Sequence, residues 1–326
     1  MSMKRALSLT IGTALVAGGV GLGCRTGQGT VKEPKLKRPP IQRGGGASRW
    51  QGSPPYPGPC VKIGDRRADG KAEWSLARSY NADGNVTQEV YDHGADGTAD
   101  TIIQYEYDGP DLVRRIKDAK ADGTVDQVSK HRYDKRGNRI ETRHDMNADG
   151  SVERLFTYEY DDKGRRVTKK LNYGGKGDPD VLWRFEYDDQ GHRTAQKWDQ
   201  ENDGTFDEVI RYIYNDEGQL VREELDRKLD GSVEKMVLYQ YDDQDNLVVE
   251  RYYDGNRDRL TKAVNLNYNS RGLRTRAAID SDGDGRVEKT TEFEWDKEGN
   301  LEREKIDSGA NGVVNTVLSY DYACWK

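Results

Sequence analysis

The chain has 326 residues, 33% hydrophobic and 34% charged, with a formal net charge of −6, a composition close to that of disordered proteins. Nineteen Tyr, six Trp and four Phe argue for a fold instead, because rings recurring at fixed spacing bury large areas while their polar tips tolerate partial exposure. Seven Lys or Arg against the single Glu33 in residues 25–59, together with Lys4 and Arg5, leave residues 60–326 at −14 within that total. Such an acidic domain excludes nucleic acid and anionic membrane surfaces as its partners.

In residues 1–24, Lys4 and Arg5 precede an apolar stretch that ends in small residues and Cys24. The stretch is too short and too rich in Gly to cross a membrane as a stable helix and reads as an export signal. Gly21-Leu22-Gly23-Cys24 resembles a bacterial lipobox. That resemblance implies diacylation of Cys24, cleavage before it and, with Arg25 following, sorting to the outer membrane, so that the chain meets a membrane through lipid on Cys24. A secretory signal cut nearby, or an uncleaved anchor, is the alternative. Residues 25–59 contain Pro39-Pro40, Gly44-Gly45-Gly46 and Pro54-Pro55 with no periodic apolar pattern, and read as a disordered basic tether.

From residue 60 onward the chain repeats. The anchors Tyr80, Tyr107, Tyr133, Tyr160, Tyr187, Tyr214, Tyr241, Tyr268, Trp295 and Tyr322 are spaced by 27 residues, with one step of 26. Ten copies at a near-fixed period make the domain a repeat array. Apolar or aromatic residues also stand two and four places before the anchor, as in Phe156 and Tyr158 before Tyr160 or Trp183 and Phe185 before Tyr187. Three such positions share a face only at period 2, which predicts a β-strand. A second strand follows, marked by the column Tyr91, Leu171, Trp198, Leu225, Tyr252, Ile279 and Ile306.

Both junctions carry turn residues. The first reads Asp161-Asp162-Lys163-Gly164 and its equivalents; the second centres on Asp-Gly, as at 149–150 and 284–285, a hairpin signal. The predicted fold is all-β: ten 27-residue β-hairpin repeats forming a curled or closed antiparallel sheet, with a parallel β-solenoid as the alternative. Open sheets of about twenty strands are expected to curl.

Tyr160-Asp161-Asp162-Lys163-Gly164-Arg165, Tyr133-Asp134-Lys135-Arg136-Gly137-Asn138 and Trp295-Asp296-Lys297-Glu298-Gly299-Asn300, each with a further ring or His two places earlier, resemble the YD repeats of the Rhs and teneurin type. The resemblance covers residues 65–326 and implies a strip of hairpins that spirals into a hollow shell, with a shell component of a toxin system as one functional expectation. Here the repeat is longer at the Asp-Gly turn.

Candidate chemistry is sparse. Asp280, Asp282, Asp284 and Glu288 place carboxylates around one loop, as a calcium ion requires, and Asp145, Asn147, Asp149 and Glu153 form a second version. The other reading is that each Asp-Gly shapes a turn and the flanking acids cap backbone groups. His93, His131, His144 and His192 have no metal-ligand spacing. No nucleophile, zinc or phosphate-loop motif appears. Cys60 and Cys324 flank the array; in an oxidising compartment they either pair, which requires the array to close on itself or the segment 60–71 to reach back across it, or remain two separate thiols.

The resulting expectation is a lipid-anchored protein of the bacterial cell envelope, with a signal ending at Cys24, a tether over 25–59 and a repeat domain over 60–326. Its expected work is non-catalytic binding or scaffolding toward a glycan or protein partner. A calcium-stabilised adhesive rod and an envelope hydrolase are the competing readings, and no cofactor other than calcium is expected.

Overall fold

The computed structural model describes residues 55–325; the export signal, Cys24 and the tether as far as residue 54 lie outside the described residues. Twenty strands follow one another from Val61–Asp65 to Thr316–Asp321, and a 3-10 turn at Ala323–Trp325 is the one helical element among the described residues. Each strand pairs antiparallel with its successor, and Val61–Asp65 pairs with both Trp74–Tyr80 and Thr316–Asp321, so the sheet closes on itself. The parallel solenoid is thereby excluded. Its connections need a dozen residues or more, whereas each link here returns the chain directly beside the strand it has left.

The tight turn after the anchor is built by its first Asp. In the copy at 133–139 the Asp134 N–H donates to Asn138 O at 2.8 Å and the Gly137 N–H to Asp134 O at 3.1 Å. Asp134 Oδ1 accepts from the backbone N–H of Arg136 and Asn138 at 2.8 and 2.9 Å. Gly137 takes φ +80°, a conformation that a Cβ disfavours. Past this turn the register slips by one residue, with Tyr133 opposite Arg139 but Arg132 opposite Glu141, which is a bulge.

The slip explains the anchor. Tyr160 Oη donates to Arg139 O at 2.8 Å, reaching back to the carbonyl at the slip of the preceding hairpin. All ten anchors make the same link to the carbonyl 21 residues earlier, at 2.8–3.3 Å. At Trp295 the donor is Nε1. The column therefore holds Tyr or Trp and never Phe, since the ring must also donate. We expect Tyr160→Phe to cost about 1 kcal/mol and to lower the melting temperature by roughly 2 °C, as read by calorimetry.

The Asp-Gly junction differs from the expected two-residue turn. The strands Arg139–Asp145 and Arg154–Tyr160 are joined by a longer loop in which Ala148 and Gly150 both have positive φ, 56° and 91°. A strand-end Asp organises it. Asp92, 3% exposed, accepts from the N–H groups of Gly94, Asp96 and Gly97 at 2.8–3.2 Å. Asp65 does the same for Arg67, Asp69 and Gly70. One side chain thus satisfies three donors of the loop, while Asp100 and Asp96 accept from His93 and Thr98 N–H, donors that a two-residue turn would not present.

The two faces of the sheet differ. On one lie the anchors with the rings and aliphatics two and four places before them, among them the buried Tyr158, Phe185, Tyr239 and Phe293. On the other, Gln104, Glu106, Arg184, Glu186, Asn265 and Asn267 are exposed. A closed ring crowds side chains on its concave face and splays them on its convex one, so the aromatic face is the one that lines the lumen. Barrels of sixteen or more strands are too wide for side chains to fill, and each apolar cluster stays within neighbouring strands. Ile210, Leu225, Val237 and Tyr239 form one cluster, and Val264, Leu266, Ala277 and Phe293 the next.

The seam shows how the ring is completed. Nine hairpins are contiguous in sequence, and the tenth takes its first strand from Thr316–Asp321 and its second from Val61–Asp65. The register is that of the others: Tyr320 faces Lys62 as Tyr158 faces Lys169. The anchor link also carries across, from Tyr80 Oη to Pro59 O at 2.9 Å. A disulfide joins Cys60 to Cys324 with Cα atoms 5.8 Å apart. Around it, Trp325 Nε1 donates to Gly58 O at 2.8 Å and the Tyr80 ring lies 4.5 Å from that of Trp325.

Candidate functional site

The middle row of the lumen face alternates the residue two before the anchor with the one nine after it. On one side of the ring this second position is acidic and buried: Glu223 is 7% exposed, Glu250 6% and Glu304 2%. Tyrosine hydroxyls donate to these acids, from the same strand at Glu250 and from the neighbouring repeat at Glu223, Glu304 and Glu89. Tyr239 Oη donates to Glu223 at 3.0 Å, Tyr320 Oη to Glu304 at 2.7 Å and Tyr105 Oη to Glu89 at 2.8 Å. Burial pushes the carboxyls of Glu223 and Glu304 above the ordinary range, and burial with Glu89 raises Tyr105 to about 12.

Each raised carboxyl weakens the fold at neutral pH. As pH rises past the ordinary carboxylate value, the unfolded chain ionises while the folded group still holds its proton, so stability falls through that window and stays lower above it. Gln at position 223 can still accept from Tyr239 but cannot ionise. Glu223→Gln is therefore expected to raise the melting temperature at pH 7, with the gain vanishing toward pH 4, in paired thermal melts across that range.

The structure brings both acidic loops together. Asp280, Asp282, Asp284 and Glu288 have oxygens within 4.8 Å of one another, as do Asp145, Asp149 and Glu153. Their hydrogen bonds are those of the loop itself. Asp280 accepts from Gly283 and Gly285 N–H, Glu288 from Ser281 N–H at 2.6 Å and Asp284 from Arg286 N–H at 2.8 Å. The same contacts recur in the loop holding Lys120, where Asp118 accepts from Gly123 and Asp126 from Ala119. In the second loop Glu153 accepts from Met146 N–H, Asp149 from Ser151 N–H, and Asn147 Nδ2 donates to Asp149.

The histidines are dispersed. His131 pairs with Thr142 at 3.0 Å, His144 with Ser129 at 2.8 Å and His192 with Asp188 at 3.1 Å. Burial and then Arg139 lower His131 to about 4, so that it is neutral at physiological pH.

Six large apolar residues are well exposed among those described: Val125, Met146, Tyr173, Leu229, Val287 and Val313. All belong to the Asp-Gly end of the ring, in the loops or at a strand's last residue. The anchor rings are engaged by their repeat-to-repeat hydrogen bonds. Sequence reasoning missed the seam. Its signal was present, since Val61–Asp65 followed by Arg66-Arg67-Ala68-Asp69-Gly70 is a second strand and Asp-Gly loop without a first strand before it.

No family model matches the chain, and no curated protein does. Among solved structures it is similar to the crystal structure of TcdB2-TccC3-TEV, with 14% identity over 74% of this chain and a TM-score of 0.42. A Photorhabdus luminescens Tc holotoxin pore matches with 13% identity over 78% of this chain and a TM-score of 0.25. A porin-like protein from Bacteroides uniformis matches with 13% identity over 82% of this chain and 99% of its own, with a TM-score of 0.33. The chain spans only 14% of the first of these and 16% of the second.

Proposed function

We propose that this protein is a non-catalytic binding or scaffolding ring, tethered to the bacterial outer membrane by lipid on Cys24. The observation that carries this reading is how the titratable groups are used. The lumen acids Glu223, Glu304 and Glu89 are held by tyrosine hydroxyls, and those of the Asp-Gly loops by backbone N–H groups. Most of their oxygens are thus committed to holding the fold, although Glu304 Oε2, Asp145 Oδ1 and Asp226 Oδ1 are buried without a hydrogen-bond partner, and a regular ring offers extended faces to a partner. The apolar residues studding the acidic Asp-Gly rim support a protein partner there, and the lumen supports a glycan. Val61–Asp65 runs toward that rim, so the chain enters the ring from the opposite one, and a tether before it leaves the Asp-Gly rim facing away from the membrane.

The test has two parts. Metabolic labelling with an alkyne palmitate should mark the wild-type chain in a bacterial envelope and leave Cys24→Ser unlabelled. The purified full chain should retain a ligand from a glycan and protein panel and return it unaltered; turnover of any glycan or ester would overturn the reading. A calcium-stabilised ring is the second reading, favoured by the convergence of Asp280, Asp282, Asp284 and Glu288. It requires millimolar calcium to raise the melting temperature and chelator to reverse the gain, and an unmoved transition ends it.

A further inference from the structure

The lumen face is not uniformly charged. Over the strands from Thr101–Asp108 to Arg193–Asp199, the strand pairing places Arg115, Lys117, Arg139, Arg166, Lys169 and Arg193 on the aromatic face and no carboxylate. This occurs inside a domain that carries −14 overall. The acids of this row, from Glu223 onward, belong to the other arc.

Four of these cations, Arg139, Arg166, Lys169 and Arg193, lie against rings, and Arg193, at the edge of the arc, also feels the charge of Glu223. The Arg166 guanidinium lies 4.7 Å from the Phe185 ring and 5.7 Å from Tyr158, Arg193 4.4 Å from Tyr212, and Lys169 4.1 Å from Trp183. Arg166 Nε is buried without a hydrogen-bond partner. All six side chains are half-buried, so each keeps part of its surface open to the lumen. Burial, then Arg166 and Arg139, lower Lys169 to about 8, as expected where like charges crowd together with no acid between them. Stacking on rings fixes where these charges point without neutralising them.

We infer that this arc is a binding site for an acidic polysaccharide, one carrying a single carboxylate per disaccharide, laid around the inner wall across the strands. The inference rests on the reading of the ring as a binder and gives that binder its ligand class. Spacing selects the ligand. Arg139, Arg166 and Arg193 occupy the same position in three consecutive repeats, two strands apart, or roughly 10 Å at the backbone. A nucleic acid strand presents a charge about every 3.4 Å, far denser than this row, whereas a carboxylate on alternate sugars recurs at a matching interval. Guanidinium groups suit carboxylates through paired N–H donors. The acidic outer surface directs a polyanion away from every other face.

The experiment is calorimetric titration of the full chain with alternating-uronate oligosaccharides, neutral dextran oligomers and inorganic polyphosphate. We expect binding of the uronate oligomer alone, weakening as salt screens the row. The triple substitution Arg139→Gln, Arg166→Gln, Arg193→Gln should weaken it roughly tenfold or more, while Lys130→Gln, Arg132→Gln, Arg184→Gln on the outer face leaves it unchanged. If the triple variant does not fold, the three single variants, each verified by its melt, carry the same comparison. Uronate binding that survives the lumen substitutions, or polyphosphate binding in its place, overturns the site. Binding of a neutral glycan or a protein partner without uronate binding also overturns it, yet leaves the broader reading of the ring standing.

Discussion

Reduction of the Cys60–Cys324 disulfide is expected to lower the melting temperature of the full chain by roughly 8 °C. The bond encloses nearly the whole ring, with a sequence separation of 264 residues. The chain-entropy account gives about 5.5 kcal/mol for a loop of that size, of which disulfides typically deliver up to about 4 kcal/mol, and a domain this large loses about 2 °C per kcal/mol. Location adds a consequence that loop length does not. The ring is completed by a five-residue strand, Val61–Asp65, and when it detaches Trp74–Tyr80 and Thr316–Asp321 each present an unpaired edge. Such edges template association. Reduced protein should therefore aggregate at its transition while oxidised protein stays monomeric, as followed by light scattering during the melt. Equal melting temperatures, with thiol titration showing complete reduction, would mean that the seam's hydrogen bonds and rings suffice without the bond.

The second large effect lies in the core. Leu225 has no solvent exposure and packs among Ile210, Val237 and Tyr239. Leu225→Ala is expected to cost about 2–5 kcal/mol in chemical denaturation, because the surrounding strands are fixed by their ladders and cannot collapse into the space. The equivalent position one side of the ring away is Lys117, half-buried and paired with Ile103; Lys117→Ala should cost less than about 1 kcal/mol. The contrast follows from uneven packing. The four apolar clusters lie on strands from Arg154 onward and around the seam, and none includes the strands from Val86 to Asp145. Hydrogen exchange should be fastest in that segment. Equal costs at the two positions would show that stability is shared evenly around the ring.

The aromatic period, the strand assignment and the turn residues were all legible in the sequence. They depend on interactions within about one repeat, and each was repeated often enough to be read from its columns. The two acidic loops were legible as well, as was the alternative that their carboxylates serve the backbone. The hydrogen bonds of Asp280 and Glu288 have the same geometry in loops where Lys120 stands at the third position. The donor requirement at the anchors was visible as a column of Tyr and Trp without Phe, yet its cause was not, because the accepting carbonyl is exposed by a bulge one hairpin away.

What the sequence determined by itself is the repeat: a period of 27, one face of rings, an Asp at each turn. Whether twenty strands remain an open strip or close was decided only in three dimensions. Closure depends on the twist and curvature accumulated over every pairing, and on whether the last first-strand meets the orphan second-strand Val61–Asp65 in register. Sheet pairing aligned a series of separated Arg and Lys positions into one row, since residues 27 apart stand two strands apart on the same face, and closure turned that row toward the lumen.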